Sequence, residues 1–352
     1  MGRIILDCDL MRFPNSGLYH YCLNIGHYVN QLLEELGKEH MKFYVPQAEA
    51  HTFAKKDTIV EKPNHKIIKP FLWDCKVWHA PFQLGRILPK KNKSIKVLLT
   101  IHDLNFLHEG KSLEEQKNTQ AHVQSLINRA DAIVCISEFS KSDVMQHCTV
   151  GDKPIYAIHN GTHKVGEAKL QAESYKPVKP FLFGMGYVNQ KKNYGVLLPL
   201  LEQNTELELI VAGRLDDPEY IKNMKQEAEV KGIADRLHIL GPVSEGEKAW
   251  YLKHCTAFVH PSLAEGFGAP VVEAMLFGKP LFLSNLTSLP EIGGEAAFYF
   301  HNFEPEHMQQ VFKEGLSKYG QNGMVEKIIA RGQQFNWGEK AVEYLEVYQS
   351  LM

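Results

Sequence analysis

What most limits the fold of this chain is an alternation that runs through it twice. Short apolar runs are separated by stretches with helical spacing of apolar residues, and the rhythm restarts after a polar segment at 164–180 that carries Pro177 and Pro180. In the first half, 4–8, 42–45, 76–81, 96–101, 132–137 and 154–158 read as strands. Between them 18–36 reads as a helix on Leu23, Ile25, Val29, Leu32, Leu33 and Leu36, with further helices over 113–129 and from near Ser140. In the second half the strands fall at 181–183, 208–213, 237–241, 257–260 and 280–284, and helices at 193–203, 218–232, 245–253 and 338–351. Strand and helix in turn predict an α/β fold of two facing doubly wound, Rossmann-like domains, each on a mainly parallel sheet. The expected divisions are 1–165, a linker at 166–180, 181–337, and a C-terminal helix at 338–352 that packs back on the first domain. Such sheets bind ligands beyond the carboxyl ends of their strands, so a substrate cleft is expected between the domains.

Composition narrows the function classes. The 352 residues suffice for two domains, and 44% apolar with 23% charged residues is ordinary for a globular protein. A net charge of −2 argues against a nucleic-acid partner, although residues 1–165 hold 21 Lys and Arg against 17 Asp and Glu and so are mildly basic. Six scattered cysteines with no CxxC pair argue against a zinc site and for free thiols in a reducing compartment. With no signal peptide and no apolar run long enough to span a bilayer, a cytoplasmic location is expected.

The strand at 257–260 opens into the stretch that carries most chemistry, Pro261-Ser-Leu-Ala-Glu265-Gly-Phe-Gly-Ala-Pro270-Val-Val-Glu273. Gly266 and Gly268 flank Phe267, so backbone N–H groups can approach a ligand closely, and Pro270 is expected at the first position of a helix ended by Gly278. A helix N-terminus favours an anion, while a carboxylate beside it, Glu265, suits sugar hydroxyls. Glu273, expected in the first helical turn, is also open to a plain dipole explanation. A ligand carrying both phosphate and sugar answers the loop as a whole.

The ordered motifs resemble the retaining glycosyltransferases of family 4, the group 1 type with the two-domain GT-B fold. Glu265-x7-Glu273 with Gly278-x-Pro280 and Ser288-Leu-Pro290-Glu291 looks like the family signature and its continuation. Gly213, Gly241-x-Val243-Ser244, His260-Pro261-Ser262, and in the first half Ser16-Gly17, His79-x-Pro81, His102-Asp103, Ser137-x-Phe139-Ser140 and Asn160-Gly161 stand in register. The resemblance implies an acceptor-binding first domain and a nucleotide-sugar-binding second one. It gives Glu265 the donor sugar hydroxyls, the amides of Gly266, Phe267, Gly268 and Ala269 the sugar and diphosphate, Glu273 the ribose hydroxyls, and Val243 with its neighbours the base. In Gly184-Met-Gly186-Tyr187-Val-Asn189-Gln-Lys191-Lys192-Asn193, it implies that Lys192 pairs with the diphosphate and that Gly186, Asn193 and, farther on, Gly213 belong to the donor site. A solvated Lys191-Lys192 pair opening the 193–203 helix, with Asn193 as its cap, is the other reading of these residues. His102 would support the sugar or relay a proton, Asp103 would orient it or contact acceptor, and Gly17 would let the first loop close over the diphosphate. Tyr187 stands where many members have a second diphosphate arginine, leaving open whether Arg214 or Arg12 serves.

The resemblance implies transfer with retention on the front face of the sugar, without a required metal or other cofactor. It points most to bacterial mannosyl- and related hexosyltransferases of surface polysaccharide, lipopolysaccharide included. GDP-mannose is the first donor, with UDP-sugars as alternatives, and the acceptor is a glycan, lipid-linked or not. Lys55-Lys56 and the run Lys90-Lys-Asn-Lys93-Ser-Ile-Lys96 fit either peripheral contact with an anionic inner membrane face or a solvated loop. A catalytically silent nucleotide-sugar or glycan-binding relative, or an epimerase on the same architecture, are the alternatives.

Overall fold

In the computed structural model, which describes residues 3–352 apart from 15, 67–71, 73, 86–88, 90–93, 163–165 and 322, the alternation becomes two parallel sheets. Lys90, Lys91 and Lys93 of the basic run lie outside the described residues. The first sheet takes β1 (Arg3–Asp7), β2 (Lys42–Val45), β3 (Thr58–Val60), β4 (Cys75–Ala80), β5 (Lys96–Ile101), β6 (Ala132–Cys135) and β7 (Ile155–Ala157) in the order β3-β2-β1-β4-β5-β6-β7. Helices α1 (Gly17–Glu35), α2 (Leu113–Arg129) and α3 (Glu138–His147) lie on the connections. Strands covered on both faces need side chains that are apolar throughout, and Leu98, Leu99, Ile133 and Val134 are fully buried.

The second sheet takes β8 (Phe181–Met185), β9 (Glu208–Ala212), β10 (Leu237–Gly241), β11 (Ala257–His260), β12 (Leu281–Ser284) and β13 (Phe298–Phe300) in the order β10-β9-β8-β11-β12-β13, again all parallel. Its helices include α4 (Leu198–Gln203), α5 (Pro218–Val230), α6 (Glu245–His254), α7 (Ala269–Leu276), α8 (Leu289–Gly293), α9 (Pro305–Tyr319) and α10 (Met324–Gln333), with α11 (Trp337–Ser350) following. Both sheets reverse strand order once beside their first strand, which is where ligands collect in doubly wound folds.

Packing divides the chain into Met1–Gly161 with Asn336–Met352, and Thr162–Phe335. Helix α11 therefore belongs to the first unit, where Tyr344, Leu345 and Tyr348 join a core with Tyr21, Ile25 and Val29 of α1. The 166–180 segment belongs to the second unit. Glu208 of β9 explains why, because its buried carboxylate accepts from the Tyr175 hydroxyl at 2.9 Å and from the Val178 and Lys179 amides.

Three local readings are corrected. Gly17 is not in a loop but is the first residue of α1, whose N-cap is Ser16, its hydroxyl accepting from the Tyr19 amide. The expected 193–203 helix begins as a 3-10 turn at Tyr194–Leu197, and Asn193, at φ 58°, caps nothing with its side chain. Helix α7 starts at Ala269, so Pro270 is its second residue and Glu273 its fifth, past the first turn.

Candidate active site

Of the candidate residues of the second unit, Lys192 and Glu265 meet beyond the carboxyl ends of β8 and β11, adjacent strands on either side of the reversal. After β8 the chain passes Gly186 and makes a turn at Gln190–Lys192, which Asn189 caps by accepting the Lys192 amide at 3.2 Å. The Leu263 amide donates to the Lys191 carbonyl at 2.8 Å, tying this turn to the loop after β11. That register brings Lys192 Nζ onto Glu265 Oε1, and His260 Nε2–H reaches the same oxygen at 2.8 Å. Burial alone would raise the Glu265 pKa, but Lys192 and His260 reverse this and hold it well below the usual carboxylate range. Burial also pulls His260 down against the opposing pull of Glu265, so the ring is a neutral donor and Lys192 the cation.

The 261–268 loop is fixed from below by hydroxyls. Ser284 Oγ donates to the Ser262 carbonyl, Thr287 Oγ1 accepts the Glu265 amide at 2.9 Å, and Ser288 Oγ donates to the Glu265 carbonyl at 3.0 Å. Gly268 sits at φ 91° as the residue before α7, a conformation a side chain would strain. Phe267 is buried, its ring 5.6 Å from that of Phe335.

Glu273 is too far into α7 for the helix N-terminus to hold it. Lys248 of α6 pairs with it, Nζ to Oε1 2.9 Å, and is itself 6% exposed. Val243 is half-buried on the loop between β10 and Ser244, the N-cap of α6. Sequence reasoning missed Lys248, because a lysine in an exposed-looking helix three residues after Glu245 reads as a surface pair. It also missed His260 as a site residue, although a histidine ending a buried strand five residues before Glu265 was a visible signal.

Gly213 and Gly186 are in contact. A Cβ on Gly213, at φ 138°, would stand 2.0 Å from the Gly186 carbonyl oxygen. Gly213→Ala is therefore expected to cost about 2–4 kcal/mol and to lower Tm, whereas Gly17→Ala, with nothing within 4 Å of the new Cβ, should leave Tm unchanged; thermal denaturation of both variants checks this. Beyond Gly213, the Arg214 guanidinium lies 4.9 Å from the Tyr187 ring centroid and donates to Asp216 at 2.9 Å. Arg12 is committed in the first unit to Asp9 and, at 2.9 Å, to Glu61.

In the first unit His102 follows β5, and its Nε2 lies 2.8 Å from the Pro81 carbonyl. A carbonyl only accepts, so Nε2 carries the proton and Nδ1 is the ring's acceptor. Burial lowers its pKa to about 4, so the ring is neutral near pH 7. This suits hydroxyl binding better than proton relay. The 102–103 backbone is clamped by Gln83, which accepts the His102 amide at 3.0 Å and donates to the Asp103 carbonyl at 2.8 Å, and by Ser140, which donates to the His102 carbonyl. Asp103 Oδ1 accepts the Asn105 amide. Gln83 carried no sequence signal.

Behind His102 runs a buried network. Tyr21 OH donates to Tyr344 OH at 2.7 Å and shares a bond with Thr100 Oγ1, His79 Nε2 lies 2.7 Å from Thr100 Oγ1, and His79 Nδ1 lies 2.7 Å from Tyr348 OH. Since the Tyr21 proton is spent on Tyr344, Thr100 donates to Tyr21, His79 Nε2–H donates to Thr100, and Tyr348 donates to Nδ1. Among the described residues no three His, Cys, Asp or Glu side chains gather as metal ligands, and no helix is long and apolar enough to cross a membrane.

Residues 167–334 match the family Glycosyl transferases group 1, and residues 64–163 match Glycosyltransferase Family 4. The chain belongs to the group 1 glycosyltransferases, with the GT-B fold. It is 24% identical to the serotype-specific mannosyltransferase WbdA of Escherichia coli over 75% of its own length and 35% of that protein, so it spans about a third of this relative. It is 23% identical to the O-antigen chain mannosyltransferase B of Escherichia coli over 99% of its length and 100% of the relative. Among solved structures, Anabaena HepE in complex with UDP and glucose superposes with a TM-score of 0.76 at 15% identity, covering 99% of this chain and 100% of the other.

Proposed function

We propose that the chain transfers a hexose, mannose first, with retention from a nucleoside-diphosphate sugar to a glycan or lipid-linked glycan. The observation that carries this is the buried Lys192–Glu265–His260 cluster where β8 and β11 end, an acceptor for sugar hydroxyls beside a cation for phosphate. In this reading Lys192 neutralises charge on the departing diphosphate, and His260 holds Glu265 toward the sugar. Glu273 takes the two ribose hydroxyls. The amides of 266–269 meet sugar and phosphate, and the base lies along the loop at Val243. Arg214, braced on Tyr187, is the candidate for the second diphosphate ligand in preference to Arg12, which two carboxylates already hold. His102 takes a sugar hydroxyl on Nδ1 and Asp103 belongs to the acceptor. The acceptor hydroxyl attacks on the face the diphosphate leaves, and a diphosphate oxygen takes its proton, so the protein supplies position and charge. No metal is needed for that step, and turnover is expected to survive EDTA.

The mannosyltransferase relatives support a mannose donor, while the HepE complex keeps UDP-sugars in play. A thermal-shift panel decides between them. GDP and GDP-mannose are expected to raise Tm more than UDP and UDP-glucose. The reverse order moves the donor class to UDP, and no shift with any of them overturns the proposal.

A further inference from the structure

We infer that Lys248 is the positioning residue of the ribose subsite, holding Glu273 in place and cancelling its charge. The assignment rests on the nucleotide-sugar reading and goes beyond it by giving a role to a residue on a different helix. Glu273 is the fifth residue of α7, where the helix N-terminus no longer stabilises a carboxylate. Its carboxylate is 15% exposed, so leaving it without a cation is costly. Lys248 meets it at 2.9 Å from α6, its side chain 8% exposed, and its Nζ also reaches Glu245 at 2.9 Å. Glu245 is 59% exposed, so the strong partner is Glu273.

The need for a cation follows from the ligand. Ribose hydroxyls are neutral donors and want a fixed acceptor, but the diphosphate attached to them is repelled by an uncompensated carboxylate nearby. A lysine bonded to Oε1 of that carboxylate resolves the conflict, since the pair is neutral overall while the carboxylate remains an acceptor. Burial also removes the choice of rotamers, so the acceptor geometry is set before the nucleotide arrives. Because the ribose stays with the leaving group throughout, this interaction is equal in ground and transition states. It must therefore appear in donor KM and not in kcat.

The test uses the full chain with whichever of GDP and UDP the wild type binds, alongside its 2′,3′-dideoxy form. Wild type is expected to prefer the ribose form by about tenfold or more, and Lys248→Met to shrink that preference toward unity. Donor KM should rise about tenfold in Lys248→Met with kcat within about threefold, inhibition by inorganic pyrophosphate should not change, and Lys248→Arg should recover part of the preference. Glu245→Gln, which leaves the Glu273 pair intact, should resemble wild type. Should Lys248→Met fail to fold, Lys248→Gln reads the same ratio, with a polar head but no charge. An unchanged ribose preference in the variant, or a fall in kcat with KM constant, overturns the role while leaving the donor reading in place. A wild type that binds neither nucleoside diphosphate overturns the donor reading and this role with it.

Discussion

Lys192→Met is expected to lower turnover by about two to three orders of magnitude while weakening nucleoside-diphosphate binding by only about tenfold. The asymmetry comes from when the charge appears. A bound nucleotide-sugar spreads its negative charge over esterified phosphates, whereas bond cleavage places a further charge on the terminal oxygen, and a compact ammonium is worth most at that point. Lys192 is suited to this because it is held. Asn189 caps its turn, Lys191 ties that turn to Leu263, and Glu265 anchors its head, so little reorganisation remains for the reaction itself. Removing it also strands the Glu265 carboxylate in a buried place with only neutral His260, and a loss of folding stability follows. Steady-state kinetics must therefore be read on protein whose Tm stays above the assay temperature. The stability of a Lys192→Met, Glu265→Gln double variant isolates the stranded-charge effect, since it removes that charge without restoring the cation; turnover is read on the single variant, because Glu265 also serves the donor sugar. Turnover within tenfold of wild type in the folded single variant would remove Lys192 from the chemistry.

The contrast between Lys192 and Lys248 shows what could be read in the sequence. Lys192 stood in a loop directly after an apolar strand, and Glu265 likewise, so both were legible as chemistry at strand ends. The sheets were legible for the same reason, because doubly buried parallel strands write themselves as unbroken apolar runs. The strands that escaped, β3 and β13, are three residues each, although the equally short β7 was read. Lys248 and Gln83 escaped, and so did the partner of His79, because their meaning lies in contacts remote along the chain: His79 bonds a tyrosine 269 residues later, and no local pattern encodes that. The start of α7 was misjudged by one residue, within the ordinary scatter of helix ends. That one residue removes Glu273 from the first turn and turns a dipole explanation into a demand for Lys248.

Mild acid is expected to destabilise the first unit through His79 and His102. Burial holds both neutral, His79 to about 3, with the His102 charge adding to the effect, and His102 to about 4, against 6.5 for the exposed ring. Between pH 6.5 and 4 the unfolded chain takes up protons that the folded one refuses, so stability is complete above pH 6.5 and falls as the pH drops through that window. For His102, a fall from 6.5 to about 4 corresponds to about 3 kcal/mol by pH 4, and to about 2 kcal/mol at pH 5. His79 acts in the same direction, and its protonation also breaks the chain of donors, since Nδ1 can no longer accept from Tyr348. The carboxylates held low by partners, Asp57 among them, lose their contribution only at more acid pH, below the ordinary carboxylate range. Urea unfolding followed on Trp78 and Trp337, both in the first unit, checks this at pH 7 and pH 5. Wild type should lose about 2 kcal/mol more between the two pH values than His102→Gln, whose amide can still donate to the Pro81 carbonyl but cannot titrate. Equal losses in the two proteins would mean that His102 takes up its proton in the folded state at its ordinary pH, and that its ring is available for proton transfer after all.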